Sequence, residues 1–205
     1  MMRSSRAVVV ACLGACLASA LIAYSESAAA EFDPWAKHAQ WFSLRGGYAK
    51  STAEGAADGN AGFGFGYTRF WNSRWASSAF GHFELLGSYQ GASEIEVPWT
   101  LELTRHVKWN SSFRPYLGLG VGAFHHQFYR TGQDVASVRG GGYLVGGGNV
   151  PIGGRSLLGL DVRVIHEAKE SLENGIFGVA SQPGATPEVQ NGTQFSVKLN
   201  YSWVY

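Results

Sequence analysis

From residue 40 onward, apolar and polar positions alternate with a period of two, the signature of strands that have two unlike faces. Gly62-Phe63-Gly64-Phe65-Gly66-Tyr67 places every aromatic ring on one face and every glycine on the other. In a second stretch Ile95, Val97, Trp99, Leu101 and Leu103 oppose Glu96, Pro98, Thr100 and Glu102. Leu158, Leu160, Val162 and Val164 alternate with Gly159, Asp161 and Arg163. Phe195, Val197, Leu199, Tyr201, Trp203 and Tyr205 alternate with Gln194, Ser196, Lys198, Asn200 and Ser202. Eight such segments are predicted, at 40–49, 60–70, 75–90, 94–107, 115–129, 135–148, 156–166 and 192–205. No stretch after residue 30 has the roughly 20 apolar residues of a membrane-crossing helix.

The connections alternate in character. Those at 71–74, 108–114 and 149–155 are compact, whereas 50–59 and 167–191 are longer and polar or glycine-rich. Short turns on one side and longer loops on the other are the organisation of a membrane barrel. A soluble barrel would bury the apolar face and wet the polar one; a membrane barrel reverses both. The second assignment turns Arg45, Glu84, Glu96, Glu102, Asp161, Arg163 and Lys198 inward. Four acids and three bases are nearly balanced and can pair in a lumen, but would be costly in an apolar core. Small inward glycines leave room for these chains, because an eight-stranded lumen is only wide enough for side chains. Trp71, Trp75, Trp109 and Trp203 collect near the short turns, as an interfacial girdle does. The expected fold is all-β: an eight-stranded antiparallel transmembrane β-barrel.

Composition narrows the partners. The 205 residues carry 16 Lys+Arg against 15 Asp+Glu, a net charge of +1, so there is no basic excess for tracking nucleic-acid phosphates. Only 15% of residues are charged and 14% are aromatic, which excludes a disordered chain. Arg3 and Arg6 precede the apolar run Ala7 to Ala23, and Ala28-Ala29-Ala30 supplies a small-residue cleavage site. The expected organisation is a signal peptide at 1–30 and a single barrel domain at 31–205. A permanent anchor helix and a lipoprotein signal at Leu13-Gly14-Ala15-Cys16 are the rival readings. The apolar run is short for a span, and the Leu17–Ala23 stretch continues past Cys16. Cleavage after Ala30 leaves a neutral chain without cysteine, since both Cys12 and Cys16 precede it.

Two resemblances add to this reading. Pro115-Tyr116-Leu117-Gly118-Leu119-Gly120-Val121-Gly122-Ala123 and the ending Leu199-Asn200-Tyr201-Ser202-Trp203-Val204-Tyr205 resemble the small eight-stranded bacterial outer-membrane barrels, including the opacity-protein and OmpA-barrel-like groups. That likeness implies a Gram-negative outer-membrane location and contact with outer-membrane lipid and lipopolysaccharide. It also implies delivery to the barrel-assembly machinery through Leu199–Tyr205. The role it suggests is structural or one of surface interaction through extracellular loops, chiefly 167–191. A small-solute channel is a further reading, kept open by the inward glycines.

The segment Gly159-Leu160-Asp161-Val162-Arg163-Val164-Ile165-His166 also resembles the penultimate strand of the lipid A 3-O-deacylases, outer-membrane barrels that hydrolyse an acyl ester of lipopolysaccharide. This implies a catalytic His at the strand end, a Ser two residues later and a Glu on the last strand. His166 holds the first position and should face lipid. The second position is Ala168, which has no hydroxyl, and near the third stands Gln194, which has no charge to compensate an imidazolium. His166 as an interfacial strand-end residue is the alternative. His125 and His126 are adjacent, so on a regular strand they point to opposite faces and cannot share one ion. His82 and Glu84 share the inward face and can pair there. Gly140-Gly141-Gly142 and Gly146-Gly147-Gly148 lack the lysine, hydroxyl and following helix of a phosphate loop. No cofactor and no metal site are expected.

Overall fold

The computed structural model describes residues 33–52, 59–89, 92–110, 112–130, 133–171 and 193–205. The expected signal peptide at 1–30 lies outside the described residues, as does the 167–191 loop from residue 172 onward. Eight strands follow in chain order: β1 (Gln40–Ser51), β2 (Asn60–Phe70), β3 (Trp75–Tyr89), β4 (Ala92–His106), β5 (Arg114–Arg130), β6 (Gln133–Gly153), β7 (Ser156–Ser171) and β8 (Thr193–Val204). Each strand pairs antiparallel with the next, and β1 pairs with β8 from Trp41↔Val204 to Ser51↔Gln194. The sheet therefore closes on itself. Closure satisfies the backbone of every strand from within the sheet, which is the condition for strands to cross lipid.

All eight predicted segments are strands, but several run further than their apolar alternation. β6 continues through Gly153, so the connection expected at 149–155 shrinks to a tight turn at Gly154-Arg155. Gly153 and Gly154 have φ of 123° and 55°, conformations that β-branched and bulky residues avoid. Pro151 is accommodated beside a register irregularity between Pro151 and Gly153. β7 reaches Ser171, five residues beyond the expected end at 166. The reason is physical: side-chain alternation reports contact with lipid, whereas the hydrogen-bonded ladder needs no apolar side chain to continue.

The other two short turns are built by asparagine. Asn72 Oδ1 accepts hydrogen bonds from the backbone N–H of Arg74 at 2.9 Å and of Trp75 at 3.0 Å. Asn110 Oδ1 likewise accepts from Ser112 at 2.9 Å and Phe113 at 2.6 Å. These are Asx turns, which substitute a side-chain oxygen for a backbone carbonyl.

Burial follows the predicted parity. Phe63, Phe65, Tyr67, Trp99, Leu101, Leu103, Leu117, Leu119, Val121, Leu144, Phe195, Val197 and Leu199 are exposed on the outer face. Glu84, Glu96, Glu102, Asp161, Arg163 and Lys198 are buried inside, with the Arg45 side chain beside them. Trp71, Trp75, Trp109 and Trp203 are exposed around the short-turn end. This inside-out distribution is that of a membrane-spanning barrel.

The barrel lumen as the candidate functional site

The inward side of β2 carries glycine where β3 carries large side chains. Gly62, Gly64 and Gly66 face Glu84, His82 and Phe80 across the ladder. A Cβ at Gly62 would lie 2.8 Å from Glu84 Cγ, and one at Gly64 would lie 2.8 Å from His82 Cγ. The glycines therefore give up lumen volume to polar and aromatic chains of the neighbouring strand.

Those chains form a charged layer across the middle of the barrel. Arg45 Nη1 of β1 and Arg163 Nη2 of β7 each donate to Glu102 Oε1 of β4 at 3.0 Å. Arg45 Nη2 lies 3.5 Å from Asp161 Oδ2, and Arg163 Nε lies 3.4 Å from Asp161 Oδ1. The Arg45 guanidinium sits 3.3 Å above the Phe80 ring, and that of Arg163 lies 5.2 Å from Tyr143. Lys198 Nζ donates to Glu84 and stands 3.3 Å from His82 Nδ1. His82 and Glu84 thus meet through Lys198. Arg45, Arg163 and Lys198 balance Glu84, Glu102 and Asp161, so burial does not strand a net charge.

Apolar clusters fill the space around it. Tyr116, Phe124, Tyr143, Val145 and Ile165 form one. The second, at the short-turn end, contains Trp35, Ala39, Trp41, Phe70, Ala76, Leu157 and Val204. Here the segment before β1 folds under the barrel. Trp41 Nε1 donates to the Pro34 carbonyl at 2.7 Å, and Asp33 Oδ1 accepts from the Trp35 N–H at 3.0 Å. Arg114 packs its guanidinium 4.6 Å from the Trp35 ring and lies 3.7 Å from Asp33. Sequence reading missed this plug, because residues 33–39 show no alternation. Trp35 just ahead of the first strand and Trp41 at its start were its only trace. Between plug and charged layer lies a small polar cavity lined in part by Ser43, Thr68, Ser78, Thr104, Asn149 and Ser202. Its hydroxyls pair among themselves, Ser43 with Ser202 at 2.6 Å and Thr68 with Ser78 at 2.8 Å.

His166 is exposed on the outer face, across from Gly142 and Thr193. Its neighbour Glu167 turns inward instead and meets His126 Nε2 at 2.8 Å. Ala168 shares the outer face with His166 but has no hydroxyl, and Gln194 is buried inside. Among the described residues no acid or hydroxyl hydrogen-bonds to His166, so the constellation implied by the deacylase resemblance is not brought together there. His125 and His126 point to opposite faces, with His126 buried. Its partner acids come from β4 and β7, a convergence that linear spacing does not display.

No protein-family model matches the sequence, and no curated protein matches it. Solved structures match it in shape. Neisserial surface protein A superposes with a TM-score of 0.66 at 10% identity, covering 82% of this chain and 100% of that one. The attachment invasion locus protein of Yersinia pestis gives 0.56 at 10% identity, covering 82% and 99%. The N-terminal β-barrel domain of Pseudomonas aeruginosa OprF gives 0.53 at 7% identity, covering 82% and 98%. The fold is that of the small outer-membrane β-barrels. At such low identity the likeness concerns the fold, and function has to be argued from this chain's own lumen and surfaces.

Proposed function

We propose that the protein is a non-catalytic barrel of the Gram-negative outer membrane, with a structural or surface-interaction role carried by its extracellular loops. The observation that carries this reading is the filled lumen. A charge-balanced layer with apolar clusters packed around it leaves the strands as a scaffold and the loops as the variable surface. The short turns then face the periplasm and the connection between β7 and β8 faces outward. Two of the matched barrels bear names that speak of a surface protein and of attachment. Lipid and lipopolysaccharide cover the belt, and Leu199–Tyr205 serves as the assembly signal, with Leu199, Trp203 and Tyr205 exposed on the outer face.

The test compares cells expressing the whole chain with cells whose residues 172–190 are replaced by a Gly/Ser segment of equal length. Both barrels should show heat-modifiable gel migration, while binding of intact cells to a panel of host and bacterial surfaces should fall with the replacement. Equal binding across the panel would remove the loop from the proposal. In planar bilayers the purified barrel should give no steady conductance, because the pathway is blocked by Arg45, Arg163, Glu102 and Asp161. Large, stable channels would favour the solute-channel reading instead. Lipid A from expressing cells should be unchanged by mass spectrometry. Loss of one hydroxyacyl chain, abolished by His166→Ala, would establish an esterase and overturn the non-catalytic reading.

A further inference from the structure

Above the charged layer, toward the long-loop end, three side chains converge from three strands. Glu96 of β4 and His126 of β5 are direct partners across the ladder, and Glu167 reaches them from β7. One ligating atom of each lies within 4.8 Å of the other two, and Glu96 and His126 are buried. β6 runs between β5 and β7, and its residue opposite Glu167 is Gly141. Even a Cβ there would stand 2.7 Å from Phe124 Cε2. The missing side chain leaves that space to the Phe124 ring. Ser137, the β6 residue paired with His126, also points inward; it is 4% exposed, and its hydroxyl has no hydrogen-bond partner among the described residues.

We propose that Glu96, His126 and Glu167 form a binding site for a divalent transition-metal cation of the Zn2+ class, with the Ser137 hydroxyl beside it. Two carboxylates drawn together in a low-dielectric lumen repel one another, and a divalent ion between them removes that repulsion. One imidazole nitrogen with two carboxylates suits Zn2+ and its neighbours, whereas Ca2+ and Mg2+ favour all-oxygen shells. Bonds of about 2.0–2.2 Å in a tetrahedral site set ligand atoms about 3.4 Å apart, so the side chains need only modest rotation on fixed strands. Glu84 lies across from Glu96 but is held by Lys198. Glu167, with its side chain 17% exposed, is the entry side, so the ion arrives from the long-loop end.

The experiment titrates Zn2+ alone into the tag-free, heat-modifiable barrel in detergent, by calorimetry and by metal analysis after dialysis. One ion per chain is expected, with Zn2+ raising the temperature of gel-shift unfolding. Glu167→Gln and His126→Ala should each weaken binding by at least about tenfold and abolish that rise, while His125→Ala, on the outer face, should change neither. Glu167→Gln preserves shape, so the test stands even where His126→Ala fails to fold. Absence of stoichiometric Zn2+, or equal binding by the wild type and both lumen variants, would overturn the site.

Discussion

Replacing Arg163 by methionine is expected to destabilise the folded barrel by about 3–5 kcal/mol, the cost of leaving buried partner charges uncompensated. Arg163 is only 2% exposed and bonds both Glu102 and Asp161, so its loss leaves two carboxylates to Arg45 alone. The size of the effect comes from what remains behind, because methionine fills much of the vacated space. Adding Glu102→Gln to Arg163→Met therefore recovers part of the loss, since one arginine then faces one carboxylate. The measurement is urea-driven unfolding in lipid vesicles, followed by gel migration and tryptophan fluorescence. A cost below about 1 kcal/mol for Arg163→Met is what a hydrated, screened lumen would give, and it would contradict a filled interior.

How much of this was legible in the sequence differs from one part of the molecule to another. The belt was legible in full, because lipid contact imposes period-two alternation and each outward position from Ile95 to Leu103 repeats it. The identity of the lumenal charges followed from the same parity: once Leu101 faces lipid, Glu102 does not. Their pairing was not legible, since Glu102 and Asp161 come together only when β4 and β7 stand across the same lumen. The convergence of Glu96, His126 and Glu167 was hidden for the same reason. The adjacent pair His125-His126 faces opposite sides of the sheet, as strand parity requires, but linear spacing could not reveal which acids approach His126 from other strands. The plug at Asp33–Ala39 escaped notice because a turn that packs Trp35 against Trp41 of β1 under the barrel has no period. The long extension of β7 escaped because its polar residues look like loop until the β6 ladder supplies their partners.

The outer face offers the second large effect. Leu101→Arg should cost about 2–4 kcal/mol, the penalty for a charged side chain on the lipid face near the bilayer midplane. The depth of Leu101 follows from its strand. Arg105, exposed on the same face, marks the short-turn edge of the belt, and Leu101 lies four residues further in. At about 3.3 Å per residue and a tilt of about 40°, this places it roughly 10 Å deeper, close to the middle of a belt about 25 Å tall. Its neighbours across the ladder are Ala79 and Val121, which offer no polar partner. Val107, exposed one residue past the end of the same strand, is the control: Val107→Arg should cost only about 0–1 kcal/mol, because the guanidinium reaches the headgroups. The contrast between the two positions carries the argument, since both exchange an exposed apolar side chain for the same cation. In a water-soluble barrel neither would cost much. A depth-dependent penalty, large at 101 and small at 107, arises only where the solvent of the outer face is hydrocarbon.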